Sequence, residues 1–121
     1  MKHLLVATAA IESGAGLALL SFPSMSAALL LGSPLTTADS VALGRVAGAA
    51  LFALGIASWL ARNEQSASAK GVLAAMTVYN IAATIILAVF GIERHPAGIA
   101  LWSVVLLHAA MSVWCVTKRG S

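Results

Sequence analysis

The chain has 121 residues, of which 60% are hydrophobic and 9% charged, with a mean hydropathy of +0.97. Soluble domains carry about 25% charged residues, and a chain this short could not bury so much apolar surface in its own core. The composition therefore excludes an ordinary soluble domain and predicts a protein whose partner is the lipid bilayer. The net charge of +3 does not indicate a nucleic-acid partner, because the basic residues are scattered and mostly flank apolar runs.

Four apolar segments are long enough to cross a bilayer as helices, which takes about 20 residues each. The sequence therefore predicts an all-α, integral membrane four-helix bundle in which residues 1–121 form a single transmembrane domain. We expect the spans at about residues 3–22, 40–61, 71–92 and 96–117. The last of these begins at Pro96, because proline suits the first position of a helix.

The first apolar segment contains Pro23, and we expect the helix to be broken or kinked near it. Proline lacks an amide donor and clashes with the preceding turn. A short helix is predicted over residues 24–31, ended by the glycine and proline of residues 32–34. It would lie along the membrane interface or extend a tilted first span. At the start of the second span, Asp39 or Ser40 is the predicted helix cap.

The basic residues are distributed unevenly between the two ends of the predicted spans. Five of them fall on one side, namely Lys2, Arg62, Lys70, Lys118 and Arg119. In the loops of the other side only Arg94 is basic. Because Lys and Arg are enriched in cytoplasmic loops, we expect both termini to face the cytoplasm.

Glu12 lies inside the first span, roughly 13 Å from its start at 1.5 Å per residue, and therefore near the middle of the bilayer. An ionisable group at that depth costs on the order of 3 kcal/mol on insertion scales, so we expect it to face other helices. Five further side chains fall at or near this depth in the other spans: Arg45, Tyr79, Asn80, Trp102 and His108. We hypothesise that they converge on Glu12 as a hydrogen-bonded cluster that binds a ligand or a proton. The alternative is that the cluster only holds the helices together.

Three glycines of the second span, Gly44, Gly48 and Gly55, share one face of the helix. Small residues at this spacing let helix backbones approach closely, so we expect these positions to pack against another span. No metal site is predicted, because Cys115 is alone and His108 has no second ligand at its depth.

The stretch from Gly44 to Arg62 (GRVAGAALFALGIASWLAR) resembles the Arg-then-Gly-rich helix of DoxX-like membrane proteins. Those proteins are compact four-helix bundles, and some are subunits of quinone-linked oxidoreductases. The pair Tyr79-Asn80, and Trp102 with His108, are similar to small four-helix bacterial inner-membrane proteins. The resemblance implies a bundle located in the bacterial inner membrane.

Two functions remain open after these observations. In the first, the protein is a binding or accessory subunit whose intramembrane pocket holds a lipid-like molecule, such as a quinone or isoprenoid, or whose surface binds a partner membrane protein. Arg45 would hold an anionic or carbonyl oxygen of the head group, and Tyr79 and His108 would hydrogen-bond to it. The protein could act as a homo-oligomer or within a larger membrane complex.

In the second, the protein is a proton-coupled small-molecule transporter that uses Glu12. This interpretation rests on a resemblance to the small multidrug transporters, which also have four short spans and a membrane-embedded glutamate in the first. Their glycine pattern in the third span is absent here. An enzyme or haem protein that uses His108 is less favoured, because no Ser-His-acid order, paired cysteines or phosphate loop is visible.

Overall fold

The structure is a computed structural model that describes residues 1–119, and these form five helices and no strand. The helices are α1 (Lys2–Ser21), α2 (Pro23–Leu31), α3 (Ala38–Ala61), α4 (Ala67–Glu93) and α5 (Leu101–Arg119). Four of them, α1, α3, α4 and α5, are long and apolar enough to cross a membrane. The prediction of an all-α membrane helix bundle is confirmed.

The predicted break of the first segment lies at Phe22, between α1 and α2. Phe22 leaves the helical conformation, with φ −133° and ψ 61°, and Pro23 occupies the first turn of α2. Proline is tolerated there because the amides of a first turn have no partner within the helix. At the other end of α2, Gly32 adopts φ 86°, a left-handed conformation that favours glycine. The short second helix was predicted over residues 24–31, and in the structure it begins one residue earlier, at Pro23.

The starts of α3, α4 and α5 differ from the prediction, and local capping explains the first two. Thr37 caps α3, and Ser40 is its reciprocal partner in a capping box, so neither Asp39 nor Ser40 is the cap itself. Ser66 caps α4, whose first residue is Ala67 and not residue 71, because the Ser66 hydroxyl accepts a hydrogen bond from the Ala69 amide. Local side-chain capping, which hydropathy does not report, determines both starts.

The fourth span begins at Leu101 and not at Pro96. The His95–Pro96 peptide bond is cis, and the residues up to Leu101 form a loop against α2. The Ala100 amide donates to the Leu29 carbonyl oxygen at 3.0 Å, which satisfies a backbone donor outside any helix. The loop is thus attached to α2 through the backbone.

The helices pack as two antiparallel pairs, α1 with α3 and α4 with α5. In the first pair a Cβ atom placed on Gly48 would lie 2.8 Å from the Gly16 carbonyl oxygen, and one on Gly55 would overlap Ser13. The two backbones therefore touch at these glycines. Gly44 instead faces the Leu35 side chain and Pro23, where α3 meets the start of α2.

The two pairs are joined mainly at the end that carries the chain termini. A buried cluster there combines α1, α4 and α5 through Leu4, Leu73, Met76, Met111 and Cys115. A second cluster combines Leu5, Ala61 and Ala69. At the opposite end the two pairs have few contacts with each other, and α2 packs there against α1, α3 and α5. The bundle is closed at one end and incompletely filled at the other.

Candidate functional site

A cavity of about 800 Å³ occupies the half of the bundle opposite the termini. Its walls come from all five helices and are mostly aliphatic, with α2 contributing Ala27, Leu29, Leu30 and Leu31. The polar lining residues are Glu12, Ser26, Ser40, Tyr79 and His108. Glu12, Tyr79 and His108 come from near the middle of their helices, so they form the floor of the cavity.

Asn80 and His108 form a buried hydrogen-bonded pair between α4 and α5. The His108 Nδ1 and Asn80 Oδ1 atoms are 2.8 Å apart, and Asn80 Nδ2 donates to the Met76 carbonyl oxygen at 2.7 Å. Asn80 is 1% and His108 7% exposed. This pair determines the orientation of the imidazole ring, since the ring is bonded at one nitrogen to a side chain that is itself held by the backbone.

Tyr79 connects this pair to Glu12 on α1. Its ring meets the His108 ring edge-on, with centroids 5.5 Å apart and an interplanar angle of 85°. Its hydroxyl lies within hydrogen-bonding reach of the Glu12 carboxyl group. Glu12 is 3% exposed. These side chains, here named the Glu12 cluster (Glu12, Tyr79, Asn80 and His108), therefore bring three helices together at one depth.

Arg45 does not reach the Glu12 cluster, which corrects the expectation that it lies within reach of Glu12. Its side chain is exposed on the outer surface of α3 and does not line the cavity. Neighbouring residues of a helix point about 100° apart, and Gly44 faces the interior, so Arg45 is turned away from it. Within residues 1–119, no basic side chain interacts with Glu12.

Trp102 also lies outside the cluster. It sits in the first turn of α5, about 9 Å along the helix from His108, and packs against Gly91 of α4. Its side chain is half exposed and does not line the cavity. Its position suits an aromatic anchor at the membrane interface.

The cavity is also lined by α2, Ser26 and Ser40, which were not among the predicted site residues. Ser40 also takes part in the α3 capping box, where its hydroxyl donates to the Thr37 carbonyl oxygen at 2.9 Å. The only sequence signal was the apolar piece after Pro23, which predicts a helix but not the space beneath it. In the described part of the chain, no three His, Cys, Asp or Glu side chains lie close enough together to hold a metal ion.

The site can hold the polar head of an amphiphile at the Glu12 cluster while the aliphatic walls cover its apolar part. Pockets of 300–1,000 Å³ with apolar walls and a few converging polar groups are typical of small-molecule sites. No family model matches the chain, and comparison with curated proteins and with solved structures gives no match.

Proposed function

We propose that the protein is a small multi-pass membrane protein that binds a lipid-like molecule, a quinone or an isoprenoid, in the cavity. The observation that carries this proposal is the cavity itself, with aliphatic walls above a floor of buried polar side chains. An ionisable group held inside a membrane is costly, and a ligand that uses it gives a reason for its presence. A polar cluster that only held the helices together would not require a cavity of about 800 Å³ beside it.

The sparse contact between the two helix pairs at the cavity end supports access from the bilayer. A hydrophobic ligand dissolved in lipid can move between the pairs without crossing water. The cavity volume fits one medium-sized molecule, since sites for drug-sized ligands reach about 1,000 Å³.

Native mass spectrometry of the detergent-purified protein tests this proposal. We expect a retained hydrophobic molecule on the wild-type protein and its loss in Ala83→Trp, which places an indole inside the cavity. Ala47→Trp is the matched control, because Ala47 is exposed on α3 and does not line the cavity. A protein that carries neither a lipid nor a partner, or equal retention by both variants, would refute it.

We further propose a bacterial inner-membrane location with both termini in the cytoplasm, as a DoxX-like protein that acts alone, as a homo-oligomer or in a larger complex. The excess of basic residues at the terminal end supports this orientation. Single cysteines at Ser66 and at His95, placed in a Cys115→Ser background, test it in intact cells. A membrane-impermeant maleimide should label the cysteine at 95 and not that at 66, and the reverse pattern would contradict the orientation.

Proton-coupled transport is the second candidate, and one observation favours it. Glu12 lines the cavity and has no basic partner among the described residues, so its carboxyl group is available for proton exchange with a substrate. Substrate addition should then release protons from the purified protein, and Glu12→Gln should abolish the release. Transport that continues unchanged in Glu12→Gln would eliminate this candidate.

A further inference from the structure

We infer that the cavity selects ligands whose head group donates hydrogen bonds, a hydroxyl or a protonated amine, and rejects carboxylate, phosphate and sulfonate heads. This inference rests on the proposed function and narrows the ligand class of the same site: a quinol or an isoprenol carries a donor head, whereas the head of an oxidised quinone carries only acceptors. It replaces the role first assigned to Arg45, which was to hold an anionic or carbonyl oxygen.

The first step concerns the tautomer of His108. The Met76 carbonyl oxygen can only accept, so the group of Asn80 that faces it must be the Nδ2 amide nitrogen. Asn80 therefore presents its Oδ1 atom to His108, and the Nδ1–H of the imidazole donates to it. In the neutral ring, Nε2 then carries a lone pair and accepts hydrogen bonds. No residue in 1–119 bonds to Nε2 and His108 lines the cavity, so Nε2 is the ring nitrogen left for a ligand.

The second step concerns Glu12. In either protonation state the Glu12 carboxyl group accepts hydrogen bonds: a carboxylate accepts about four through its two oxygens, and a neutral carboxyl group accepts through its carbonyl oxygen. The Tyr79 hydroxyl, the neighbour within reach, has a single hydrogen to give. Glu12 therefore keeps most of its accepting capacity, and its oxygens and His108 Nε2 together make the floor a set of acceptors.

The third step concerns charge. Neither Lys nor Arg is among the residues that line the cavity, and Arg45 is exposed elsewhere. An anionic head would be buried in this low-dielectric space with no cation to pair with it, which is costly, and an ionised Glu12 would add the repulsion of a like charge. Ser26 and Ser40 are the remaining hydroxyls of the lining, and the Ser40 hydroxyl already donates to the Thr37 carbonyl oxygen. A hydroxyl carries no charge and cannot neutralise an anion. A donor head instead satisfies the acceptors already present.

A matched set of probes with one alkyl chain tests the inference: hexadecanol, hexadecylamine and hexadecanoate. Binding of each radiolabelled probe to the purified full-length protein is measured at pH 7 by scintillation proximity. We expect hexadecanol and hexadecylamine to bind at least roughly tenfold more tightly than hexadecanoate.

Variants of single residues test which side chains cause the preference for donor head groups. His108→Phe keeps an aromatic ring without the Nε2 acceptor, and should weaken hexadecanol binding about three- to tenfold. Glu12→Gln should narrow the difference between hexadecylamine and hexadecanoate. Arg45→Gln is the control and should leave the ranking unchanged, because Arg45 lies outside the cavity.

The wild-type ranking decides the inference without relying on any variant to fold. Hexadecanoate binding as tightly as the other probes would overturn it while leaving the proposed function intact. Failure of all three probes to bind would overturn both. A ranking that collapses in Arg45→Gln would also overturn it, because the selectivity would then come from a cation.

Discussion

The α1–α3 interface gives the sharpest test of the structure, through the substitution Gly48→Ala. The new Cβ atom would lie 2.8 Å from the Gly16 carbonyl oxygen and 2.8 Å from the Leu20 amide nitrogen. Cβ contacts below 3.0 Å are essentially never seen and ordinary ones begin at 3.4 Å, so the two backbones must separate by about 0.2 Å, and by about 0.6 Å to reach an ordinary contact. A gap of roughly 0.5–1 Å loses about a quarter to a half of the dispersion attraction at each contact. The substitution therefore affects the whole length of the interface.

Overpacking of this kind costs about 1–3 kcal/mol, and the better helix propensity of alanine returns up to about 1 kcal/mol. We expect Gly48→Ala to lower the free energy of unfolding by about 1–2 kcal/mol. Gly14→Ala is the matched control, since nothing lies within 4 Å of its Cβ position, and it should be neutral or slightly stabilising.

The assay is unfolding in mixed micelles of dodecyl maltoside with increasing sodium dodecyl sulfate, followed by circular dichroism. Gly48→Ala should unfold at a lower sodium dodecyl sulfate fraction than the wild type, and Gly14→Ala should not. Equal midpoints for the two variants would show that the α1 and α3 backbones are not in direct contact at Gly48.

Three further predictions use the same assay or a chemical probe. Thr37→Ala removes the α3 capping box and should destabilise by about 1 kcal/mol, whereas the neighbouring Thr36→Ala should have no effect, and equal effects would contradict the cap. Asn80→Leu leaves the His108 Nδ1–H without its partner and should lower the free energy of unfolding by about 1–3 kcal/mol. The double variant Asn80→Leu/His108→Leu should lose less stability than the sum of the two single variants. Strict additivity would show that the two side chains are not hydrogen-bonded. Cys115 is fully buried and should react with N-ethylmaleimide only after unfolding, so rapid reaction of the folded protein would disprove the core around it.

The membrane spans could be predicted because a bilayer requires each spanning helix to have about 20 mainly apolar residues, and both properties are visible in the sequence of one segment. The break before Pro23 followed from the chemistry of proline in the same way. The start of α5 could not, because Pro96 satisfies the local rule for a first helical residue while the backbone of Leu29 holds the following loop outside the helix. Contacts between distant segments decided that boundary.

The candidate site could also be predicted only in part. Counting residues along each span gives the depth of a side chain in the membrane. This count correctly placed Glu12, Asn80 and His108 at one level. Depth says nothing about the direction in which a side chain points around the helix axis, and Arg45 was misassigned for that reason. The cavity had no sequence signal, because it is a space that packing leaves open and no residue pattern encodes such a space.

The attachment of α2 to the loop before α5 has a mechanical consequence. The two helix pairs are linked covalently by the loop between Ala61 and Ala67 at the closed end, while Ala100 bonds to Leu29 across the open end. The first connection is a covalent loop, and the second is a backbone hydrogen bond. A Cβ atom on Gly98 would overlap the Leu29 carbonyl oxygen, so this second connection depends on a glycine and on main-chain atoms. The link between the two helix pairs at the cavity end therefore depends on backbone packing at this point and not on the polar side chains of the Glu12 cluster.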